Sequence, residues 1–304
     1  MKVFYCDQFV LPLPPEHRFP MDKYRRLRDR VQCSNDVQYE LCVPEAASAD
    51  QLALAHCERY IGDVFVGELG RRQLRALGFP WSGQLVERAR RSVGATIEAC
   101  RAALLDGAAA SLAGGTHHAF RDRPQGFCVF NDVAVALRSM QRESRLERAM
   151  VIDCDVHQGN GTAAIFQDDP SVYTFSIHGE HNFPYRKERS DLDVALPDGV
   201  EDAVYLRSLD GGLSRAFSEA QAELVIYIAG ADPYVGDRWG RMSVTKAGLA
   251  ERDRIVYRYC RKQLLPVVVV MAGGYANDID DIVDIHFTSV RLVREYCFNE
   301  KTSS

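Results

Sequence analysis

Six short apolar runs, Lys2 to Cys6, Ala108 to Leu112, Met150 to Ile152, Val172 to Ile177, Leu224 to Ala229 and Val267 to Ala272, recur along the chain with amphipathic segments between them. Near-continuous rather than alternating apolarity suits strands buried on both faces, as in a parallel sheet. The intervening segments carry helix signals. Ser82 is placed to cap a helix with Val86, Val93, Ile97, Cys100 and Leu104 on one stripe and Gly107 at its end, and Asn131 to cap another through Val135 to Met140. Tyr205, Leu209, Leu213 and Phe217 mark a third helix, and Leu249, Val256 and Cys260 a fourth that stops before Pro266; the last spans Ile279 to Tyr296. The alternation predicts an α/β fold, a single domain over residues 1–304 whose mostly parallel β-sheet is flanked by helices on both faces.

With 46% hydrophobic residues the chain can build a sizeable core. Its net charge of −5 and lack of a basic block argue against nucleic acid or an anionic membrane as partner. No apolar run approaches membrane-spanning length, and the N-terminal residues read as a strand, not a secretory signal. Nine cysteines without a C-x-x-C pair are the usage of a reducing, cytoplasmic setting and exclude a cysteine-based zinc site.

In open α/β sheets ligands bind beyond the carboxyl ends of the strands, and here the unusual polar residues gather at those ends. His117-His118 follow Ala113-Gly114-Gly115; Asp155 and His157 follow Val151-Ile152; His178 follows Ile177; Asp232 follows Ile228-Ala229-Gly230; Tyr275 follows Ala272-Gly273-Gly274. Each alone would read as a turn residue, but five converging on one rim make a site. Asp155, His157 and Asp232 supply three ligands for one divalent cation and leave positions open, the pattern of a catalytic metal. The donor types suit Zn2+, with Fe2+ the alternative. Adjacent His117 and His118 suit general acid and base work, with Asp153 and Asn160 as candidate orienting partners. The Tyr275 hydroxyl is a candidate donor to an oxyanion. Gly126-Phe127 is expected to form one wall for an alkyl chain, faced by Phe183 or Tyr185.

Together these pieces resemble the histone deacetylase superfamily of the arginase/deacetylase fold. The resemblance rests on Gly114-Gly115-Thr116-His117-His118, on 126–134 (GFCVFNDVA), on 153–162 (DCDVHQGNGT), on Gly230-Ala231-Asp232 and on Gly273-Gly274-Tyr275, which occur in the family's order and cover most of the chain. Gln158 and Asn160 stand where class I enzymes usually carry His and Asp. The segment Gly236 to Ser243, the compact length and His17-Arg18-Phe19-Pro20-Met21 are most similar to class IV enzymes and their bacterial relatives.

The resemblance implies a zinc-dependent amidohydrolase that removes an acetyl or longer acyl group from N-acyl-lysine in a peptide or protein by metal-activated water. It implies Asp155, His157 and Asp232 as metal ligands, and His117 and His118 as the catalytic pair, supported by Asp153 and Asn160 respectively. Tyr275 would polarise the carbonyl, and a structural K+ would sit at the Asp155 side chain and the carbonyls around Asp153, His157, Ser176 and Ile177. The alternatives are a deacetylase of small acylated amines such as acetylpolyamines, a longer-chain deacylase, an arginase-like binuclear manganese hydrolase, which needs further carboxylate ligands that Gln158-Gly159-Asn160 do not supply, and a non-catalytic binder.

Overall fold

The computed structural model describes residues 1–14, 16–34 and 39–298. The apolar runs become the inner strands of one eight-stranded sheet. In chain order the elements begin with β1 (Lys2–Phe4), α1 (Asp22–Gln32), β2 (Glu40–Cys42), α2 (Ala49–Leu52), α3 (Glu58–Val66), α4 (Arg71–Leu77), α5 (Gly83–Asp106) and β3 (Ala108–Ser111). They continue with α6 (Asp132–Arg142), β4 (Ala149–Asp153), α7 (Asn160–Phe166), β5 (Val172–Gly179) and β6 (Leu192–Leu196). The last five are α8 (Asp202–Glu219), β7 (Val225–Ile228), α9 (Lys246–Lys262), β8 (Val267–Val270) and α10 (Ile279–Phe298). The strand order is β2-β1-β3-β8-β7-β4-β5-β6, and every pairing is parallel.

Parallel strands alternate their side chains between two cores. On β4, Met150 and Ile152 pack into one core with Tyr205, Leu209, Leu213, Val256 and Cys260 from α8 and α9. Val151 points the other way, towards Ile97, Cys100 and Val135 from α5 and α6. All four valines of β8 are fully buried, and each contributes about 1.5–3 kcal/mol by leaving water. A charged residue at Val269 would therefore break the centre of the sheet.

Caps end the helices where the sequence places them. The Ser82 side chain accepts from Leu85 N, Gly107 closes α5 in the left-handed region, and the Asn131 side chain accepts from Ala134 N. The edge strands β2 and β6 were not anticipated: β6 alternates partly buried and exposed residues, so it lacks the continuous apolar signal of the inner strands. The short helices α1 to α4 and α7 were missed as well. No helix among the described residues is long and apolar enough to cross a membrane, and all nine cysteines are unpaired.

Candidate active site

The ends of β3, β4, β7 and β8 meet at one place because these strands lie side by side or nearly so in the sheet. Asp153 closes β4, and the chain then turns so that Asp155 and His157 face Asp232, beyond the end of β7. The turns are fixed by backbone amides. His157 N donates to Asp155 Oδ1 at 2.9 Å, Val156 N to Asp232 Oδ1 at 2.9 Å, and Gly273 N to Asp155 Oδ2 at 2.8 Å. Gly273 has no alternative, since a Cβ there would lie 1.8 Å from Asp232 Oδ2.

The donor atoms of Asp155, His157 and Asp232 all lie within 4.8 Å of one another and all three residues are buried. His157 Nδ1 sits 3.0 Å from Asp155 Oδ1 and 3.0 Å from Asp232 Oδ2. Two carboxylates crowded in a low-dielectric site repel. Burial, with Asp155 adding to it, pushes Asp232 up to about 7. Burial opposes charge on His157, but Asp232 and Asp155 outweigh it and push the imidazole up to about 10. A divalent cation at the shared centre would remove this conflict, and two carboxylates with one imidazole are a fitting donor set. The residues present therefore fit the metal.

The two neighbouring histidines have unlike partners. His117 Nδ1 is 2.7 Å from Asp153 Oδ2, and His118 Nδ1 is 2.8 Å from Asn160 Oδ1. Their rings are 4.1 Å apart. Burial works against charge on His117, yet Asp153 and Asp155 prevail and push it up to about 9. His118 is held well below the usual imidazole range by burial and by the charges of His117 and His157. An amide oxygen accepting at Nδ1 places the proton there and leaves Nε2 of His118 as an acceptor. Burial, then Asp232 and Asp155, raise the Tyr275 hydroxyl well above its usual range, so it stays protonated.

A cavity of about 520 Å3 leads in from the surface, lined by His118, His157 and Tyr275 at its base and by Phe127, Phe183 and Trp239 along its walls. A smaller chamber of about 50 Å3 lies deeper, between His117, His118, Asp155, Gly273 and Tyr275. Gly126 brings the chain against the catalytic pair: a Cβ there would lie 2.6 Å from the His118 ring. Phe127 follows with φ of 65°, a costly conformation for an aromatic residue. It is held by Gly126 N donating to Ala76 O at 2.9 Å and Phe127 N donating to Leu77 O at 2.8 Å. Phe183 packs edge-on to His118 with ring centres 5.0 Å apart, whereas Tyr185 is 87% exposed at the outer edge of the cavity.

One expected member lines neither chamber: His178, near the end of β5, is buried and pairs its Nδ1 with Ser176 Oγ at 2.9 Å. Several supporting residues were not anticipated. Gln125 Oε1 accepts from Asn160 Nδ2 at 2.7 Å and so fixes which way that amide points. Asp237 accepts from Tyr275 N at 2.6 Å, and buried Lys23 donates to Ala272 O at 3.1 Å and Gly274 O at 3.4 Å, on either side of the glycine turn. Trp239 lies 4.3 Å from the Tyr275 ring. Lys23 and Gln125 carry no local pattern that marks them, because their partners are distant in sequence or set by a turn. Trp239 stands in the Gly236 to Ser243 segment, noted for its likeness to class IV enzymes.

Comparison with known proteins points to one family. The family model described as histone deacetylase domain matches residues 17–290. An uncharacterized protein of Picosynechococcus sp. is 43% identical over 294 residues, 96% of this chain and 98% of its own length. Histone deacetylase 2 of Arabidopsis thaliana is 32% identical over 270 residues, 85% of this chain and 70% of its own. The crystal structure of an HDAC homolog complexed with SAHA shares the fold, with a TM-score of 0.81 and 22% identity over 98% of this chain and 84% of the other. With the domain matched from the N-terminal loop to the last helix, and deacetylases among its relatives, this chain belongs to the histone deacetylase family of hydrolases.

Proposed function

We propose that this deacetylase hydrolyses the amide of a short-chain Nε-acyl-lysine in a peptide or protein, with Zn2+ held by Asp155, His157 and Asp232. The observation that carries the reading is the pair of histidines, one beside a carboxylate and one beside an amide, next to a buried Asp–His–Asp group. The cation would polarise the acyl carbonyl and lower the pKa of a water. His118, neutral and with Nε2 free, takes the proton from the attacking water as its oxygen bonds to the carbonyl carbon. His117, held protonated by Asp153, keeps positive charge beside the developing oxyanion. The Tyr275 hydroxyl donates to that oxygen. As the C–N bond breaks, an imidazolium returns the proton to the leaving amine, and the products are a carboxylate and free lysine.

The inner chamber supports the short acyl group. Its volume of about 50 Å3 is room for about three or four waters, enough for an acetyl group and too little for a long chain. The walls Phe127 and Phe183 suit the lysine methylenes. A structural K+ at the Asp155 side chain and the carbonyls of Asp153, His157, Ser176 and Ile177 belongs to the same reading, supported by the register that sets Asp153 opposite Ser176. The unpaired cysteines support a cytoplasmic setting.

The test is amine release by the zinc-loaded protein from matched acetyl-, octanoyl- and myristoyl-lysine peptides, against a metal-free control. Metal-dependent turnover, fastest on the acetyl peptide, is expected; faster turnover of the myristoyl peptide would overturn the short-chain assignment. Tyr275→Phe is expected to keep its metal and lose about 10²- to 10³-fold in kcat. Wild-type rates in that variant would remove the hydroxyl from the reaction.

A further inference from the structure

The outer cavity is lined by three arginines, Arg75, Arg238 and Arg241, and by His181, with no Asp or Glu among its lining residues. This reverses the balance of the whole chain, which carries a net charge of −5. Two acids beside it are already engaged. Asp237 turns inward to the backbone amides of Tyr275, Trp239 and Gly240. Asp198 pairs with Arg241 at 3.2 Å and lies 3.4 Å from His181, and so offsets the charge of Arg241.

The other two guanidinium groups keep their charge. Arg238 donates from Nε to Tyr275 O at 2.7 Å and from Nη2 to Arg18 O at 3.1 Å, so uncharged carbonyls fix it over the Trp239 ring at the mouth. Arg75 stands exposed on α4, the helix whose last carbonyls hold the Gly126-Phe127 turn, and makes no ion pair among the described residues. A fixed cation and a free one therefore flank the entrance, with apolar walls that focus their field.

We infer that this mouth selects an Nε-acyl-lysine flanked by carboxylates, as in an acidic peptide segment, and repels acylated polyamines, whose remaining ammonium groups would meet the arginines. The inference rests on the amide-hydrolase reading above and names its substrate class. A carboxylate at such an entrance would favour a polycation, and none lines the cavity here.

The experiment uses acetyl-lysine peptides that differ only in having Glu, Ala or Lys on both sides of the acetylated residue, together with acetylspermidine. Turnover of the Ala-flanked peptide by the wild type tests the hydrolase reading by itself. Fluorescence anisotropy of labelled peptides on the Tyr275→Phe variant tests the mouth whether or not the amide is cleaved. The Glu-flanked peptide is expected to bind at least about tenfold more tightly than the Lys-flanked one at low salt. That ratio should shrink as ionic strength rises and fall when Arg75→Glu is added. Equal or tighter binding of the Lys-flanked peptide, displacement of the Glu-flanked peptide by acetylspermidine at matched concentration, or a ratio that neither salt nor Arg75→Glu alters would each overturn the assignment.

Discussion

Asn160 is the residue on which the two catalytic imidazoles diverge. Its Oδ1 meets His118 while its Nδ2 donates to Gln125. An amide stabilises an imidazolium far less than a carboxylate does, so burial and neighbouring charge leave His118 neutral. Replacing Asn160 by Asp would set a negative charge against His118 and raise its pKa, and it would turn the Gln125 contact into oxygen against oxygen unless that amide flips. Because His118 works in its neutral form, the acid limb of the kcat/KM profile should move to higher pH in Asn160→Asp. An unmoved limb would show that the partner at position 160 does not set the basicity of the general base. The sequence alone brought this pair together as candidates; that Gln125 aims the amide came only from the folded chain.

At the level of elements, the turn after β8 is wedged against the turns after β4 and β7. Gly273 is the contact point, with its N–H on Asp155 and no room for a side chain before Asp232. Gly273→Ala is expected to push Asp232 out of place and to lower metal content sharply while far-UV circular dichroism stays native; full metal occupancy in that variant would refute the packing argument. A second joint ties the segment before α3 to the start of α6. His56 Nδ1 lies 3.0 Å from Phe120 O, and Asn131 N donates to His56 Nε2 at 2.9 Å. Burial, only partly offset by the backbone bonds to Phe120 and Arg121, pushes the imidazole down to about 4. Its ordinary value is near 6.5, so between those limits the unfolded chain takes up a proton that the folded chain refuses. Stability is then present above about pH 6.5 and is lost as pH falls towards 4, by roughly 3 kcal/mol in all. Urea unfolding across this range should show a steeper loss for the wild type than for His56→Gln, and identical slopes would exclude the linkage.

For the whole molecule, the cation site is also a stability element. The crowding of Asp155 and Asp232 around His157 is borne by the folded state alone, so a cation that binds there favours folding by mass action. At a free concentration of 100 times Kd this amounts to about 2.7 kcal/mol. Chelation is therefore expected to lower Tm by several degrees, with recovery on adding Zn2+. A Tm indifferent to metal would mean that the three ligands do not share an ion.

The architecture was legible in the sequence wherever a strand is buried on both faces, because burial on both faces leaves a continuous apolar run: β3, β4, β5, β7 and β8 were all found this way. The chemistry was legible for the same reason, since a polar residue at the end of such a run has little to do except meet a ligand. The edge strands β2 and β6 escaped notice because one side of each faces solvent and leaves no such run. What only the tertiary structure decided is how distant segments meet. Lys23 reaches the turn before Tyr275 across 249 positions of chain, His178 pairs with Ser176 and lines neither chamber, and α4 sets Arg75 at the entrance. These placements depend on strand order and helix packing, which are set by the sum of many burial contacts and leave no local mark on the residues they bring together.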